Sequence, residues 1–311
     1  MTNDPFADLK NLLEVLPEAD SCARKAAVSA TDTLSNATGD GGSLAEYYRW
    51  LATWQGNKVA KISEAHICLF AASHVHGMAV KDLQTILEAA TRGQAPINKL
   101  CMDHGIGLRV LELALEIPLK SPTDKPLFDA RDTMAGIAFG MEAAASGGHL
   151  LALGDLAYGT EVGSLAIVTA IHGETPEHWG GDKIHGGYLV LTKAALEANK
   201  DSIDTALDAM MSMGGREIAT MVGAIIAARM EQIPVLLDGW AALAAATVLH
   251  SLSPSALDHC AAASAASVGQ ARAWSAIGLK PVVSLDMDMG QGAGAAIAIG
   301  TLHSAVGLYG S

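Results

Sequence analysis

Short apolar runs of strand length alternate with helical stretches through most of this chain, and that alternation constrains the fold more than any other feature. The runs "HICLFAAS", "LRVLELAL", "HLLALGDL", "IPVLLDGW" and "KPVVSLDM" each reach Gly, Asp or Ser at or soon after their end. Between them lie "VKDLQTILEAATR", "DARDTMAGIAFGMEAAAS" and "GGREIATMVGAIIAARM", with apolar residues at helical spacing. Such a pattern predicts an α/β fold in three layers, a parallel sheet with helices on both faces. Ligands of open parallel sheets bind beyond the carboxyl ends of the strands. The segments to examine are therefore "SHVHG", "GDLAYGTE", "LDGW" and "DMGQGAG".

The remaining sequence reads as a smaller helical subdomain. "DPFADLKNLLEVL", "EADSCARKAAVSA" and "SLAEYYRWLATWQ" are amphipathic, with the Gly-rich "NATGDGGS" before the third. "SPSALDHCAAASAASVGQARAWSAIG" also reads as helix and is grouped with them. The expected division is residues 1–60 and 251–279 for the helical part, 61–250 for the α/β domain, and 280–311 for its final strand and helix. "GGDKIHGG" (180–187) is the segment expected to be a mobile loop.

Composition narrows the function. Half of the 311 residues are apolar, much of that alanine, which suits helices packed closely on a sheet. A formal charge of −13 argues against nucleic acid or an anionic membrane as partner. No apolar stretch reaches the roughly 20 residues of a membrane helix, and "MTNDPFADLK" lacks the pattern of a signal peptide. Cysteines at 22, 68, 101 and 260 show no CxxC spacing. They read as reduced thiols, and the protein as cytoplasmic.

Three constellations could carry chemistry. "HVH" puts His74 and His76 on one side of an extended chain, but a metal centre needs three or four ligands at recognisable spacing, and none follows. "GDLAYGTEVGS" offers Asp155 and a helix start that could hold a phosphate or ribose; equally, it could be a βα turn capped by Thr160 with Glu161 favouring the dipole. Asp238 follows a buried strand, where it could cap the next helix or face a ligand. No nucleotide fingerprint of the G-x-G-x-x-G or G-x-x-x-x-G-K-S/T type and no nucleophile elbow occurs. In "MDMGQGAGAAIAIG", glycines 290, 292 and 294 form a turn before a helix, with Gln291 where an acid or base would serve catalysis.

The order of these segments resembles the nicotinate-nucleotide:dimethylbenzimidazole phosphoribosyltransferase family from about Ala65 onward. "GGREIATMVGAIIAARMEQIPVLLDGW" is similar to the family's Gly-Gly helix and P-V-x-L-D-G-F/W strand end. "MGQGAGAAIAIG" is similar to G-E-G-S/T-G-A-A-L-A, and "GDLAYGTEV" to G-E-M/L-G-x-G/A-N-T-T. "HICLFAASHVHG" and "TRGQAPINKLC" stand in the places of V-F-x-A-D-H/N-G and G-x-A-x-I/V-x-x-L.

The resemblance implies phosphoribosyl transfer from nicotinate mononucleotide to an aromatic base such as dimethylbenzimidazole, in cobalamin lower-ligand synthesis. One benzimidazole nitrogen attacks C1′ of the ribose, nicotinate leaves, and a glutamate removes the proton from the other nitrogen. It further implies no metal or other cofactor and a homodimer, with a hetero-oligomer left open.

Carried over by motif, the base position is Gln291, a neutral amide. The implied substrate-binding positions are Met78, Ile86, Asp155, Ala157, Asp238, Gly290, Gly292 and Gly294, with the family's loop lysine aligned either with Tyr188 or, shifted in register, with Lys183. The family's N-T-T reads Thr160, Glu161 and Val162, which puts a carboxylate near a phosphate, and Ser267 stands where a glutamate is usual. Asp286 and Asp288 lie near enough to be considered as substitute bases. These departures leave two expectations, an enzyme with altered or weakened activity or an impaired paralogue that binds a ligand or completes an oligomer.

Overall fold

The computed structural model describes residues 4–124, 126–144 and 147–310. In chain order the helices are α1 (Ala7–Glu14), α2 (Ser21–Thr38), α3 (Ser43–Trp54), α4 (Val80–Thr91), α5 (Pro96–His104), α6 (Ala130–Ala144), α7 (Thr160–His172), α8 (Pro176–Gly180), α9 (Gly186–Asn199), α10 (Ala206–Met213), α11 (Arg216–Met230), α12 (Gly239–Leu252), α13 (Val268–Ala276) and α14 (Ala293–Tyr309). The strands are β1 (Ala65–Ala71), β2 (Gly107–Glu112), β3 (Leu150–Leu156), β4 (Val235–Leu237) and β5 (Cys260–Ala262).

These strands form one parallel sheet in the order β2-β1-β3-β4-β5. The inner strands are apolar on both faces, as strands covered twice must be. In β1, Cys68 and Phe70 enter one core, while Ile67 and Leu69 enter the other. Residues of α1, α6, α7 and α9–α13 build the first core; α2–α5 and α14 build the second. The three-layer expectation holds. Helices α6 and α11 pack backbone to backbone, because a Cβ at Gly140 would overlap the Thr220 carbonyl and one at Gly223 the Ile137 carbonyl. Among the described residues no helix is long and apolar enough to cross a membrane.

Two expectations fail at the carboxyl-terminal end. The segment 251–279 is not all helix: Cys260–Ala262 pairs with β4 as a fifth strand. Alanine is the best helix former, but propensity is a weak determinant, and the ladder to β4 with burial of this stretch overrides it. Helix α13 packs on α8 and α12, on the same sheet face as α1 and opposite α2 and α3, so the N-terminal helices and α13 do not form one group. "KPVVSLDM" is not a regular strand either. Pro281 forms an isolated bridge with Ala262, and the amides of Val282 and Val283 donate to Ala262 O at 2.9 Å and Ala263 O at 3.1 Å. Proline has no N–H to extend the ladder, and Asp286 turns the chain away at φ 51°.

The 180–187 segment is tied down at its start, where the Ser267 hydroxyl donates to the Gly180 carbonyl at 3.1 Å. Ser267 also accepts from the Gln270 amide at 3.0 Å, capping α13.

Candidate active site at the strand ends

The chain runs from β1 outward to β2 and then returns to β3 on the other side of β1, so the strand order reverses there. Loops from such a reversal diverge and leave a crevice at the carboxyl ends. Four segments line it: the end of β3 and its turn into α7, the β4–α12 turn, the residues after β5, and the glycine turn before α14. They enclose two adjoining recesses of about 100 and 230 Å³. Asp155, Glu161, Asp288 and Gln291 belong to both.

The glycine turn is held in an unusual backbone state. Gly290, Gln291 and Gly292 stand at φ 61°, 55° and 76°. Gly292 has no alternative, since a Cβ there would press on Leu69 and Ile67 at 3.0 and 3.1 Å. Gln291 is not glycine and carries roughly 1–2 kcal/mol of strain in this region. Its side chain is anchored, with Nε2 donating to the Tyr158 hydroxyl at 3.0 Å and so joining the glycine turn to the β3 turn.

Asp238 caps a helix, but not the one that follows it. Its side chain makes no cap bond to α12. Instead it accepts from Ser264 Oγ at 2.7 Å and from the Ala295 amide at 3.1 Å, capping α14. A Cβ at Gly294 would overlap both Ser264 and Asp238, so glycine is required for this approach. Burial raises the Asp238 pKa, while the bonds from Ser264, Ala295 and Gly294 pull it down.

Asp155 is half-buried and accepts only a long bond from the Ala157 amide, 3.3 Å. Desolvation, reinforced by Glu161, Glu217 and Asp238, pushes its pKa well above the carboxylate range. Glu161 accepts from the Gly159 amide at 3.0 Å. Its pKa is also raised, by burial first and Asp288 last, against its backbone bonds and His74.

Behind the α7 turn stands a group that sequence reasoning passed over. Glu217 is buried at the start of α11 and accepts from Thr160 Oγ1 at 2.6 Å and from His74 Nε2 at 3.1 Å. Thr160 thus bonds a distant carboxylate, and the structure gives its helix no side-chain cap. His76 Nε2 lies 3.0 Å from the Gly159 carbonyl, and burial lowers its pKa. Both imidazoles are committed to protein partners. Among the described residues no group of three or more His, Cys, Asp or Glu is arranged to hold a metal.

Of the positions chosen by motif, Asp155, Ala157, Asp238, Gly290, Gln291, Gly292 and Gly294 line the recesses. Met78 and Ile86 do not; they are half-buried against the second core. Lys183 is exposed and lines neither. Tyr188 lies closer, edge-on to the His76 ring at 6.2 Å, with Glu161 among the causes that raise its pKa. Of the two substitute acids, Asp288 faces the site and Asp286 does not. Tyr158, Ser264 and Glu217 were not singled out, because each joins the site through a partner distant in sequence; Gln270 lines the smaller recess from the start of α13.

The sequence profile described as phosphoribosyltransferase matches residues 16–311. The chain belongs to the nicotinate-nucleotide:dimethylbenzimidazole phosphoribosyltransferase family. Among curated relatives bearing that name, one from Allorhizobium ampelinum is 38% identical over 318 residues, covering 98% of this chain and 93% of the relative. Another from Rhizobium meliloti is 37% identical, covering 98% and 94%. The crystal structure of CobT from Thermus thermophilus superposes with a TM-score of 0.79 at 23% identity, over 92% of this chain and 96% of that one, which shows the shared fold. Within this transferase family fold, the glycine turn and the β3 turn meet at the Gln291–Tyr158 bond.

Proposed function

We propose that this chain transfers phosphoribose from nicotinate mononucleotide to an aromatic base of the dimethylbenzimidazole kind, as the names of its relatives describe. The observation that carries this reading is the strand-end crevice, where all three motif segments converge on two joined recesses in a chain similar to those relatives along nearly its whole length. The reaction asks the protein to hold a nucleotide and a flat base in line, so that a ring nitrogen meets C1′ as nicotinate leaves.

Two recesses divided by the Asp288–Gln291 turn suit two reactants. The base lies toward Leu156, Ala157 and Tyr158, which line the larger recess. Among the described residues, no lysine or arginine lines either recess. The phosphate is therefore held by backbone N–H groups, with the starts of α7, α12 and α14 close by. Asp155 and Asp238 flank the ribose, and Tyr188 rather than Lys183 is the loop residue near it. We further propose a homodimer acting in the cytoplasm.

The test is product formation, followed by liquid chromatography and mass spectrometry with nicotinate mononucleotide and dimethylbenzimidazole. The expected result is the ribosylated base phosphate with equimolar nicotinate. Absence of product from both the unaltered protein and Gln291→Glu would overturn the reading.

A further inference from the structure

Gln291 poses a chemical problem for this reaction. When one nitrogen of a benzimidazole bonds to C1′, the ring becomes cationic unless the other nitrogen gives up its proton. An amide cannot take that proton. If the transferase reading holds, on which this inference rests, another group in the crevice must.

Four carboxylates surround the recesses, and their burial and hydrogen bonding separate them. Asp238 has its oxygens engaged by Ser264 and the start of α14. Asp155 stands at the end of β3 with the Gly239 backbone against its carboxylate, and burial, reinforced by neighbouring acids, raises its pKa well above the ordinary value. Asp288 is exposed on the glycine turn. Glu161 is half-buried at the first turn of α7, forms part of the wall of both recesses, and shares both with Gln291. The Gly159 amide fixes it through Oε2.

We propose that Glu161 is the general base of this chain, taking over across the crevice the task that the amide at 291 cannot perform. In the step, the lone pair of one ring nitrogen forms the bond to C1′. The C1′–N bond of nicotinate mononucleotide breaks, its electron pair returning to the pyridine nitrogen, and the N–H proton of the attacking base passes to the Glu161 carboxylate. Solvent later receives it, leaving ribosylated base phosphate, nicotinate and one proton.

The surroundings suit this task. Facing Glu161 are Asp155 from β3, Asp288 from the glycine turn, His74 from the end of β1 and Tyr188 from α9. Burial and Asp288 outweigh His74 and the backbone bonds, so the carboxylate holds a proton more readily than usual. A base is most effective when its pKa approaches the working pH. Gln291, bonded to Tyr158, is left to shape the wall.

The experiment compares five proteins: unaltered, Glu161→Gln, Gln291→Glu, the double variant of these two, and Asp288→Asn. Expected are transfer by the unaltered protein and a kcat lower by about 10²–10⁴-fold in Glu161→Gln. The KM for nicotinate mononucleotide should change much less, and the acidic limb of the pH–kcat profile should vanish. The double variant should recover turnover, which also proves that the fold survives the change at 161. Retention of kcat within about tenfold in Glu161→Gln, or a larger loss in Asp288→Asn, would overturn the proposal. Product from Gln291→Glu alone would overturn it while leaving the transferase reading standing. Product from none would overturn both.

Discussion

His74 and Glu217 form a buried pair at the back of the crevice, Nε2 to Oε1 at 3.1 Å, with side chains 5% and 0% exposed. The same oxygen accepts from Thr160, so a single carboxylate pins the end of the β1 strand loop, the start of α7 and the start of α11. Removing one partner of such a pair strands the others without water. Glu217→Ala should therefore cost about 3–5 kcal/mol in denaturant unfolding. A loss below about 1 kcal/mol would mean that the pair does not hold these segments together.

The pH dependence of that pair has a defined sign. Burial pushes the Glu217 pKa up, but the charge and hydrogen bond of His74 and the bond from Thr160 outweigh it, and the net shift is downward from 4.5. An acid with a lowered folded pKa stabilises above its unfolded value, and the contribution fades as pH falls through the folded one. Melting temperatures measured downward from about pH 5 should fall less steeply in Glu217→Gln than in the unaltered protein.

Asp155 has the opposite sign. Its folded pKa is raised, so the folded state binds a proton that the unfolded chain has released, and stability declines as pH rises from about 3.8 toward the folded value. Asp155→Asn removes this cost. It should raise Tm at about pH 7, by about 2 °C for each kcal/mol recovered in a chain of this size, and it should lower turnover, as expected where a site is held against its own stability. An unchanged or lower Tm under those conditions would contradict the raised pKa.

Gly223 and Gly307 make a matched pair of helical glycines. At Gly223 in α11 a Cβ would meet the Ile137 carbonyl, whereas at Gly307 in α14 it meets nothing within 4 Å. Gly223→Ala should destabilise by about 1–3 kcal/mol through forced separation of α6 and α11. Gly307→Ala should instead stabilise by about 0.5–1 kcal/mol, because alanine loses less backbone freedom in a helix. Calorimetry of the two variants reads both signs.

Thiol labelling checks the core. Cys22 is exposed, while Cys68, Cys101 and Cys260 are buried. Desolvation pushes the thiols of Cys68 and Cys101 up to about 11, and that of Cys260 higher. An aromatic disulfide reagent at about pH 8 should modify one thiol of the native protein rapidly and all four after unfolding. Rapid reaction of a second would place one of the three outside the core.

Much of this molecule was legible in its sequence because local rules and tertiary demands agree. Runs such as "HICLFAAS" and "HLLALGDL" are apolar on both faces, and only a doubly covered parallel strand uses such a run well. The glycines at 290, 292 and 294 marked a turn that uses them, through positive φ at 290 and 292 and through close approach at 292 and 294, and the motif positions around Asp155, Asp238 and Gln291 line the recesses together. Legibility failed where the two conflict. Cys260–Ala262 has a helix former's composition and becomes a strand, because β4 offers unpaired backbone groups that burial requires to be satisfied.

The sequence by itself determined the layering of the fold, the edge of the sheet that carries the crevice, and the presence of an amide where a base was expected. Only the tertiary structure decided which groups act together there. Asp238 caps a helix that begins 55 residues later, Glu217 reaches Thr160 across 57 residues, and Glu161 shares two recesses with Gln291. Periodicity reports which face of an element is buried, because burial of a face is a local pattern. It cannot report which distant polar group that face meets, since hydrogen bonds and pKa shifts depend on separations of a few ångströms fixed only when the whole chain packs.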